Sequence, residues 1–485
     1  MTMPSPSRLF IATLLAVAAL AWPTGPLAAA PAAALPHVGH VFVLVLENQN
    51  EATTFGPGSP APYLAHDLPA MGQMLPNYYG IGHASLGNYI ALISGQGPNP
   101  ITQSDCQFFM DVLPGTIGAD GQAAGSGCVY PSTVKTVADQ LTARGLTWKG
   151  YMEDMANSPT ENRTCRHPAL NSQDNTQTAR AGDQYATRHN PFVYFHSIID
   201  SPDCFTKDVP LDRLSEDLRS VSTTPSYSFI TPNLCNDGHD APCVDGRPGG
   251  LTTAGKFASS LVPQIVASPA FRQDGLLIVT FDESASGAEA CCGERAANTA
   301  NPGATSRGPG GGRVGAVVVS PFVAPGTVNL TPYNHYGLLR TVEDSFGLSH
   351  LGYAGVDGLQ SFGADVLHAG PGSTPPGQQP SSVHSGLAAC RARALPRRAH
   401  GKLRRGTLIA RTGQRRRGHR SQLTLTFTHA ARLHVSVRVH GHLRRLRARR
   451  VRACRAYRFN VPAGSLVMVS VSVRRARERR ILHIR

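Results

Sequence analysis

Five short segments rich in apolar residues punctuate the first 365 positions: 41–46 (VFVLVL), 147–152, 226–231, 276–281 and 314–320. Runs of this length with many β-branched residues predict strands covered on both faces. Between them, 132–144 and 252–266 repeat apolar residues at helical spacing. Strands that alternate with helices predict an α/β domain over 37–365, built on a doubly wound, largely parallel sheet. Further on the period falls to two in QLTLTFT, RLHVSVRVHG, AYRFNVPAG and LVMVSVSVRR. That pattern predicts a small antiparallel all-β domain over 387–485. The stretch GPGSTPPGQQPSSVHSG, 370–386, reads as a semi-extended linker between the two.

Two of the predicted strands end in the same unusual way. The run at 41–46 stops on Glu47 and Asn48, and the run at 276–281 stops on Asp282 and Glu283. Charged side chains are almost never buried without a partner, so both ends should open on a cleft. In open α/β sheets ligands bind beyond the carboxyl ends of the strands, where these residues fall. The segment HASLGNYIALISG, 83–95, adds a helix, because Leu86, Tyr89, Ile90 and Ile93 stand at i, i+3, i+4 and i+7. The helix should begin just after Ser85 and leave Ser85 at its N-cap. A serine there is ordinarily a cap. It could also be a nucleophile beside the free N–H groups that hold a phosphate. Three carboxylates and an amide at two strand ends favour the second reading, as an oxygen-rich site for a divalent cation formed by Glu47, Asn48, Ser85, Asp282 and Glu283.

Charge divides the chain at the same place as the periodicity. From Gly386 onward there are 28 Lys and Arg against one acid, Glu478, whereas 18 basic and 30 acidic residues precede it. The two parts therefore carry formal charges of +27 and −12, in line with the overall +15. At the N-terminus, Arg8 precedes an apolar run from Leu9 to Trp22 and small residues follow, so 1–30 reads as an export signal. A secreted or extracellular protein, associated with the envelope through its basic domain, is expected. Ten cysteines suit an exported chain with disulfides. Cys106 with Cys128, Cys165 with Cys204, Cys235 with Cys243, and Cys390 with Cys454 would close reasonable loops. Cys291 and Cys292 are adjacent and are left either bridged to each other or paired elsewhere.

Two tempting motifs fail on context. GATSRGPGGGRVG, 303–315, lacks the Gly-Lys-Ser/Thr ending of a phosphate loop and precedes a strand, so a mobile loop near the cleft is expected. The arginine-rich domain shows no base-reading module or interleaved aromatics, so no specific nucleic-acid partner is expected.

The pieces LEN (46–48), HASLGNYIALISG, FITPNLCNDGHD from 229, VTFDES from 279 and YNHYGLLRTVEDSFGL from 333 together resemble the bacterial phosphoesterase family of acid phosphatases and phospholipases C, within the alkaline phosphatase superfamily. The resemblance spreads over most of 37–365 and implies an alkaline-phosphatase-like fold. It implies that Glu47, Asn48, Asp282 and Glu283 are metal ligands and that Ser85 is a nucleophile also touching the metal. Asn88 would steady a phosphoryl oxygen. His239, with Asp237 and Asp240 beside it, and His335 would face the leaving oxygen or a second cation. His189, in RHNPF, would sit at the rim of the site, though a structural histidine fits its sequence context nearly as well. The family usually has proline where Ala84 and Gly87 stand, and QNEATTFG replaces a more aromatic consensus after Asn48.

The implied activity is that of a secreted phosphomonoesterase, an acid phosphatase that requires a divalent metal cation and forms a phosphoserine. Its substrates would be phosphate monoesters and, as for actinobacterial members that remove the 3-phosphate of phosphatidylinositol 3-phosphate, phosphoinositide headgroups. A phospholipase C-type phosphodiesterase is the alternative activity. A non-catalytic envelope-binding protein is the alternative of another class, but binding alone would not require Ser85. A monomer is expected.

The charge split generates a test. Deleting the chain from Gly370 onward should leave hydrolysis of a soluble phosphomonoester within about two-fold, because no catalytic motif lies there. It should also weaken co-sedimentation with anionic vesicles at low salt, and high salt should erase the difference between the two forms. Equal sedimentation of both forms at low salt would remove the anchoring role.

Overall fold

The structure is a computed structural model that describes residues 35–292 and 310–368 in full, together with the backbone of eight strands between 409 and 483. The expected export signal at 1–30, the linker at 370–386 and the Cys390–Cys454 pairing lie outside the described residues. The chain divides into two compact units, 1–373 and 374–485.

The first unit is organised by an eight-stranded sheet. Its strands are β1 (His40–Leu46), β2 (Gln73–Leu75), β3 (Trp148–Met152), β4 (Asp208–Pro210), β5 (Tyr227–Thr231), β6 (Gly275–Phe281), β7 (Ala316–Val319) and β8 (Thr327–Val328). They lie in the order β8-β2-β7-β6-β1-β5-β3-β4. From β6 to β4 every neighbouring pair is parallel. Only β7 runs against its neighbours, and β8 is parallel to β2. The reversal has a simple cause. Ala316 pairs with Thr280 near the carboxyl end of β6, so the chain turns back along the same edge without the crossover a parallel neighbour needs.

Strands β1 and β6 are buried along their whole length, so the centre of the sheet is covered on both faces. Burying each large aliphatic or aromatic side chain there contributes about 1.5–3 kcal/mol. Four helices supply much of the rest of the core: α1 (Ser85–Ser94), α2 (Val137–Ala143), α3 (Gly250–Ala267) and α4 (His335–Phe346). Helix α2 starts later than the apolar spacing from 132 suggests, because Thr136 and Asp139 form a reciprocal capping box that fixes its first turn. Helix α1 is buried on every side and packs against α4. Among the described residues no helix is long and apolar enough to cross a membrane.

Disulfides join Cys106 to Cys128, Cys165 to Cys204, Cys235 to Cys243, and Cys291 to its neighbour Cys292. The first three are the pairs that loop closure suggests, and the fourth resolves the open choice at 291–292.

The second unit is all antiparallel. Ile409–Arg417, Arg420–Phe427 and Ala456–Pro462 form a three-stranded sheet. A five-stranded sheet contains Ala431–Val439, His442–Arg445, Arg449–Val451, Leu466–Val473 and Ala476–His483.

At the edge of the large sheet, Asp208 is fully buried and accepts from Asn190 Nδ2 at 2.8 Å. Burial pushes its pKa up to about 8, only partly opposed by the Asn190 bond. The folded state therefore holds a proton that the unfolded chain releases above about pH 4. Stability from this group is full below that value and is lost as pH rises through about 8, by up to about 1.4 kcal/mol per pH unit. Asp208→Asn should flatten this part of the pH profile. Thermal melts from pH 5 to 9 should show the melting-temperature difference between variant and parent moving in the variant's favour as pH rises, and a constant difference would exclude Asp208.

Candidate active site

The site follows from register. Leu46 pairs with Phe281 in the parallel β1–β6 ladder, so Glu47 and Asp282 leave the sheet at the same level on adjacent strands. The link continues past the strands: Asp282 N–H donates to Leu46 O at 2.9 Å, and Asn48 N–H donates to Asp282 Oδ1 at 2.9 Å. On the other side β5 ends at Thr231, and the segment after it returns Asp237, whose carbonyl accepts from Glu47 N–H at 2.8 Å. Asn48 turns the chain with φ 54°, a left-handed conformation that asparagine tolerates better than most residues.

Ser85 is the first residue of α1, not its cap. Ala84 takes the extended N-cap conformation, and the Ser85 hydroxyl donates to Glu47 Oε2 at 2.9 Å instead of capping the helix. Asn48 Nδ2 donates to the same oxygen at 2.7 Å. The N–H groups expected to be free for a phosphate are not all free, because Leu86 N–H is bound by Asp105 Oδ1 at 3.0 Å.

Asn88 lies one turn on, and its amide is turned toward protein groups. Its Oδ1 accepts from the N–H groups of Ile81 and Gly82, and its Nδ2 lies 3.0–3.2 Å from Gly82 O, Ala84 O and Glu283 Oε2. It thus ties the loop before the helix to the acidic pair after β6. Gly87, where family members usually carry proline, faces Pro98, and a Cβ there would lie 3.1 Å from Pro98 Cγ. The packing at this turn leaves little room for a side chain.

The histidines are distributed differently from expectation. His189 is not at the rim but in the middle, 1 % exposed, with Nε2 3.2 Å from Glu47 Oε1 and Nδ1 3.8 Å from Asp237 Oδ2. It stacks on Tyr89 of α1 at 5.2 Å, which explains why an apparently apolar helix position carries a tyrosine. His335, expected at the leaving oxygen or a second cation, lies against Asp282 and Tyr78. Its Nδ1 meets the Tyr78 hydroxyl at 3.0 Å and its Nε2 the Asp282 carbonyl at 2.5 Å, so both ring nitrogens are occupied by the protein. Burial lowers its pKa to about 4, which keeps the ring neutral. Asp237 is fully buried, whereas His239 is half exposed beside Asp240, with Nδ1 3.4 Å from Asp240 Oδ1. The Asp240 contact raises the His239 pKa against its partial burial.

Glu47, Asp237, Asp282 and Glu283 are all buried. Burial is the largest cause of a raised pKa in each of them. Mutual repulsion adds to it for Asp237 and Asp282, while Arg188 opposes it most strongly at Glu47. Glu283 is pushed up to about 7, with His83 opposing, its Nδ1 3.7 Å away. Glu47 Oε1, Asp237 Oδ2, Asp282 Oδ2 and both nitrogens of His189 have no hydrogen-bond partner. Buried acceptors without donors, on groups of one charge, are what a cation site requires. In donor type the residues suit a divalent cation: Ser85 and Asn48 meet at Glu47 Oε2, Asp282 is bonded to the Asn48 backbone, and Asp237 and His189 lie beside them. Among the described residues, Cys235, Cys243 and Asp245 are the only His, Cys, Asp or Glu side chains that bring three ligand atoms within 4.8 Å of one another, and both sulfurs are spent in a disulfide; no three acids or histidines of the site converge that closely.

Sequence reasoning missed Arg188, the buried cation of the site. It stands next to His189 in RHNPF, so the signal was the motif's neighbour. It also missed Asp105, which lies outside every motif. The glycine-rich segment is corrected as well. Residues 303–309 lie outside the described residues, but 310–315 are held, with Gly80 N–H donating to Gly312 O and Gly311 N–H to Gly80 O. A Cβ on Gly80 would lie 2.5 Å from Asp282 O, and one on Gly311 2.7 Å from Gly82 O. The glycines allow three backbone segments to meet behind the site.

The sequence model of the Phosphoesterase family matches residues 61–349. A phosphate-repressible acid phosphatase of Penicillium chrysogenum is 27 % identical over 305 residues, covering 62 % of this chain and 58 % of that protein. A phosphatidylinositol-3-phosphatase of Mycobacterium tuberculosis is 26 % identical over 323 residues, covering 67 % of this chain and 82 % of that protein. This chain thus spans less than two thirds of the length of the fungal relative. A solved protein of the alkaline phosphatase superfamily from Vibrio parahaemolyticus aligns with a TM-score of 0.39 and 11 % identity, over 82 % of this chain and 78 % of that one.

If a cation relieves the carboxylate cluster, stripping it should lower the melting temperature by several degrees, and adding back Mg²⁺, Mn²⁺, Ca²⁺ or Zn²⁺ should restore it. Asp282→Asn should bind less metal by elemental analysis and respond less to the addition. A parent protein free of metal whose melting temperature ignores all four ions would sink the assignment.

Proposed function

The chain belongs to the Phosphoesterase family, and from that membership we propose that it is a secreted phosphomonoesterase that depends on a divalent cation and transfers the phosphoryl group to Ser85. The observation that carries this reading is the Ser85 hydroxyl, 2.9 Å from Glu47 Oε2 at the head of a buried helix, on a carboxylate whose other oxygen lacks a partner. A serine that only capped the helix would point at a backbone N–H instead.

A cation held by Glu47, Asn48, Asp282 and Ser85 would favour the ionised hydroxyl and offset charge on the phosphoryl oxygens. The protein's own groups supply the remainder. Glu47 Oε2 already accepts the hydroxyl hydrogen bond, so the proton has a place to go as Ser85 Oγ attacks phosphorus. Arg188, buried and electrostatically close to Glu47, Asp105 and Asp237, supplies positive charge where phosphate must enter a site of carboxylates. Asn88 fixes the loop that carries Ser85. His239, whose pKa is raised by Asp240 and which is half exposed, holds a proton at mildly acidic pH for the departing alcohol. Water then cleaves the phosphoserine, returning Ser85 and inorganic phosphate.

One relative is named a phosphatidylinositol-3-phosphatase, which makes phosphoinositide headgroups a substrate class alongside soluble monoesters. Comparing p-nitrophenyl phosphate with bis(p-nitrophenyl) phosphate separates monoester from diester hydrolysis.

Ser85→Ala should keep the fold and most metal binding while lowering kcat on p-nitrophenyl phosphate by about three orders of magnitude, about 4 kcal/mol in barrier. Rapid acid quench of the parent with ³²P-labelled substrate should trap label on the peptide containing Ser85. A variant that turns over within a few-fold of the parent would take Ser85 out of the mechanism.

A further inference from the structure

The helix that carries Ser85 lacks a cap of its own. Its N-cap residue is Ala84, which has no side-chain acceptor. The acceptor comes from 19 residues downstream, where Asp105 Oδ1 binds Leu86 N–H at 3.0 Å. This N–H belongs to the residue that follows the candidate nucleophile.

Asp105 is held in place from several directions. It has φ 55°, and Cys106 after it has φ 50°. Two successive non-glycine residues in the left-handed region persist only where their surroundings over-determine them. Here Cys106 is bridged to Cys128, and the Asp105 carbonyl accepts from Gln177 Nε2 at 2.8 Å. Gln177 in turn presents its own carbonyl to Arg188 at 3.1 Å. One carboxylate thus bonds the start of the nucleophile helix, and its residue is tied to Arg188 through Gln177.

We propose that Asp105 is a positioning residue for this site: by accepting from Leu86 N–H it fixes the first turn of the helix, and with it the direction of the Ser85 hydroxyl. The proposal rests on Ser85 as the reacting residue. Asp105 itself makes no contact with the Ser85 hydroxyl, which is bonded to Glu47, so its effect is transmitted through the backbone of the helix. The loop from Asp105 to Cys128 therefore serves the site although it carries none of the family's motifs.

The test uses full-length protein and two variants. Asp105→Ala removes the acceptor, whereas Asp105→Asn keeps an oxygen for Leu86 N–H but loses the charge. On p-nitrophenyl phosphate, the alanine variant should lose ten-fold or more in kcat with KM within about three-fold, and the asparagine variant should exceed it in kcat by at least three-fold. Hydrogen exchange of the amides at 85–94 should be faster in the alanine variant and at the parent rate in the asparagine variant. A smaller loss in the alanine variant, an asparagine variant no better than alanine, or unchanged exchange in both would each overturn the proposal. Should the alanine variant fail to fold, the asparagine variant decides: kcat within ten-fold of the parent and slow exchange uphold the role, and a larger loss or fast exchange removes it. The exchange readout does not depend on turnover. An active Ser85→Ala variant would therefore refute the proposed chemistry, while the exchange data would still report on Asp105.

Discussion

Four carboxylates buried at the carboxyl end of three adjacent parallel strands are the constraint around which the first unit is built. An ionised carboxylate removed from water without compensation costs several kcal/mol, and four in one place repel one another as well. Burial raises the pKa of Glu47, Asp237, Asp282 and Glu283 alike, so each is pushed toward its neutral form unless positive charge meets it. The surroundings supply Arg188 and the partly exposed His239, and they leave oxygens of three of the acids without donors. Keeping these acidic oxygens buried together at the strand ends costs the fold stability.

The rest of the architecture keeps that arrangement from relaxing. The β1–β6 register sets the level of the acids at the two strand ends, and backbone bonds from Asp282 to Leu46 and from Asn48 to Asp282 continue the ladder one residue into the loops. Behind Asp282, the neutral ring of His335 bridges its carbonyl to Tyr78. Glycines at 80 and 311 let the loop before the helix and the loop after β6 approach at backbone distance. Asn88 closes the circuit by joining the helix, the loop and Glu283. Each element is ordinary alone. Together they allow the Ser85 hydroxyl to point at a carboxylate and not at a backbone amide.

The family match spans 61–349, which contains Ser85, Asp282 and His335 but begins after Glu47 and Asn48. The two halves of the acidic site are therefore joined by the sheet and not by the extent of the match. The departures from the family pattern fall where the structure gives them a reason or makes them harmless. Gly87 packs against Pro98, and Ala84 still takes the extended conformation that starts the helix.

Much of this was legible in the residues. The five strands were visible because strands covered on both faces must be continuously apolar, and three disulfides because their cysteines close short loops. The acids at the strand ends stood out because charge at the end of an apolar run contradicts burial. What sequence could not decide is distance between segments far apart in the chain. It put His189 at the rim when the ring is buried against Glu47, because a motif records that a histidine is present and not which way its ring nitrogens face. It read Asn88 as a ligand for phosphate, when the hydrogen bonds that occupy its amide come from a loop folded back on it. It had no means to find Asp105, whose role depends on a single hydrogen bond across 19 residues. Local periodicity fixes which residues are buried, since burial is decided by neighbours in sequence. Only the tertiary structure decides which buried polar groups meet, since that depends on strand order, register and the loops that pack over the strand ends.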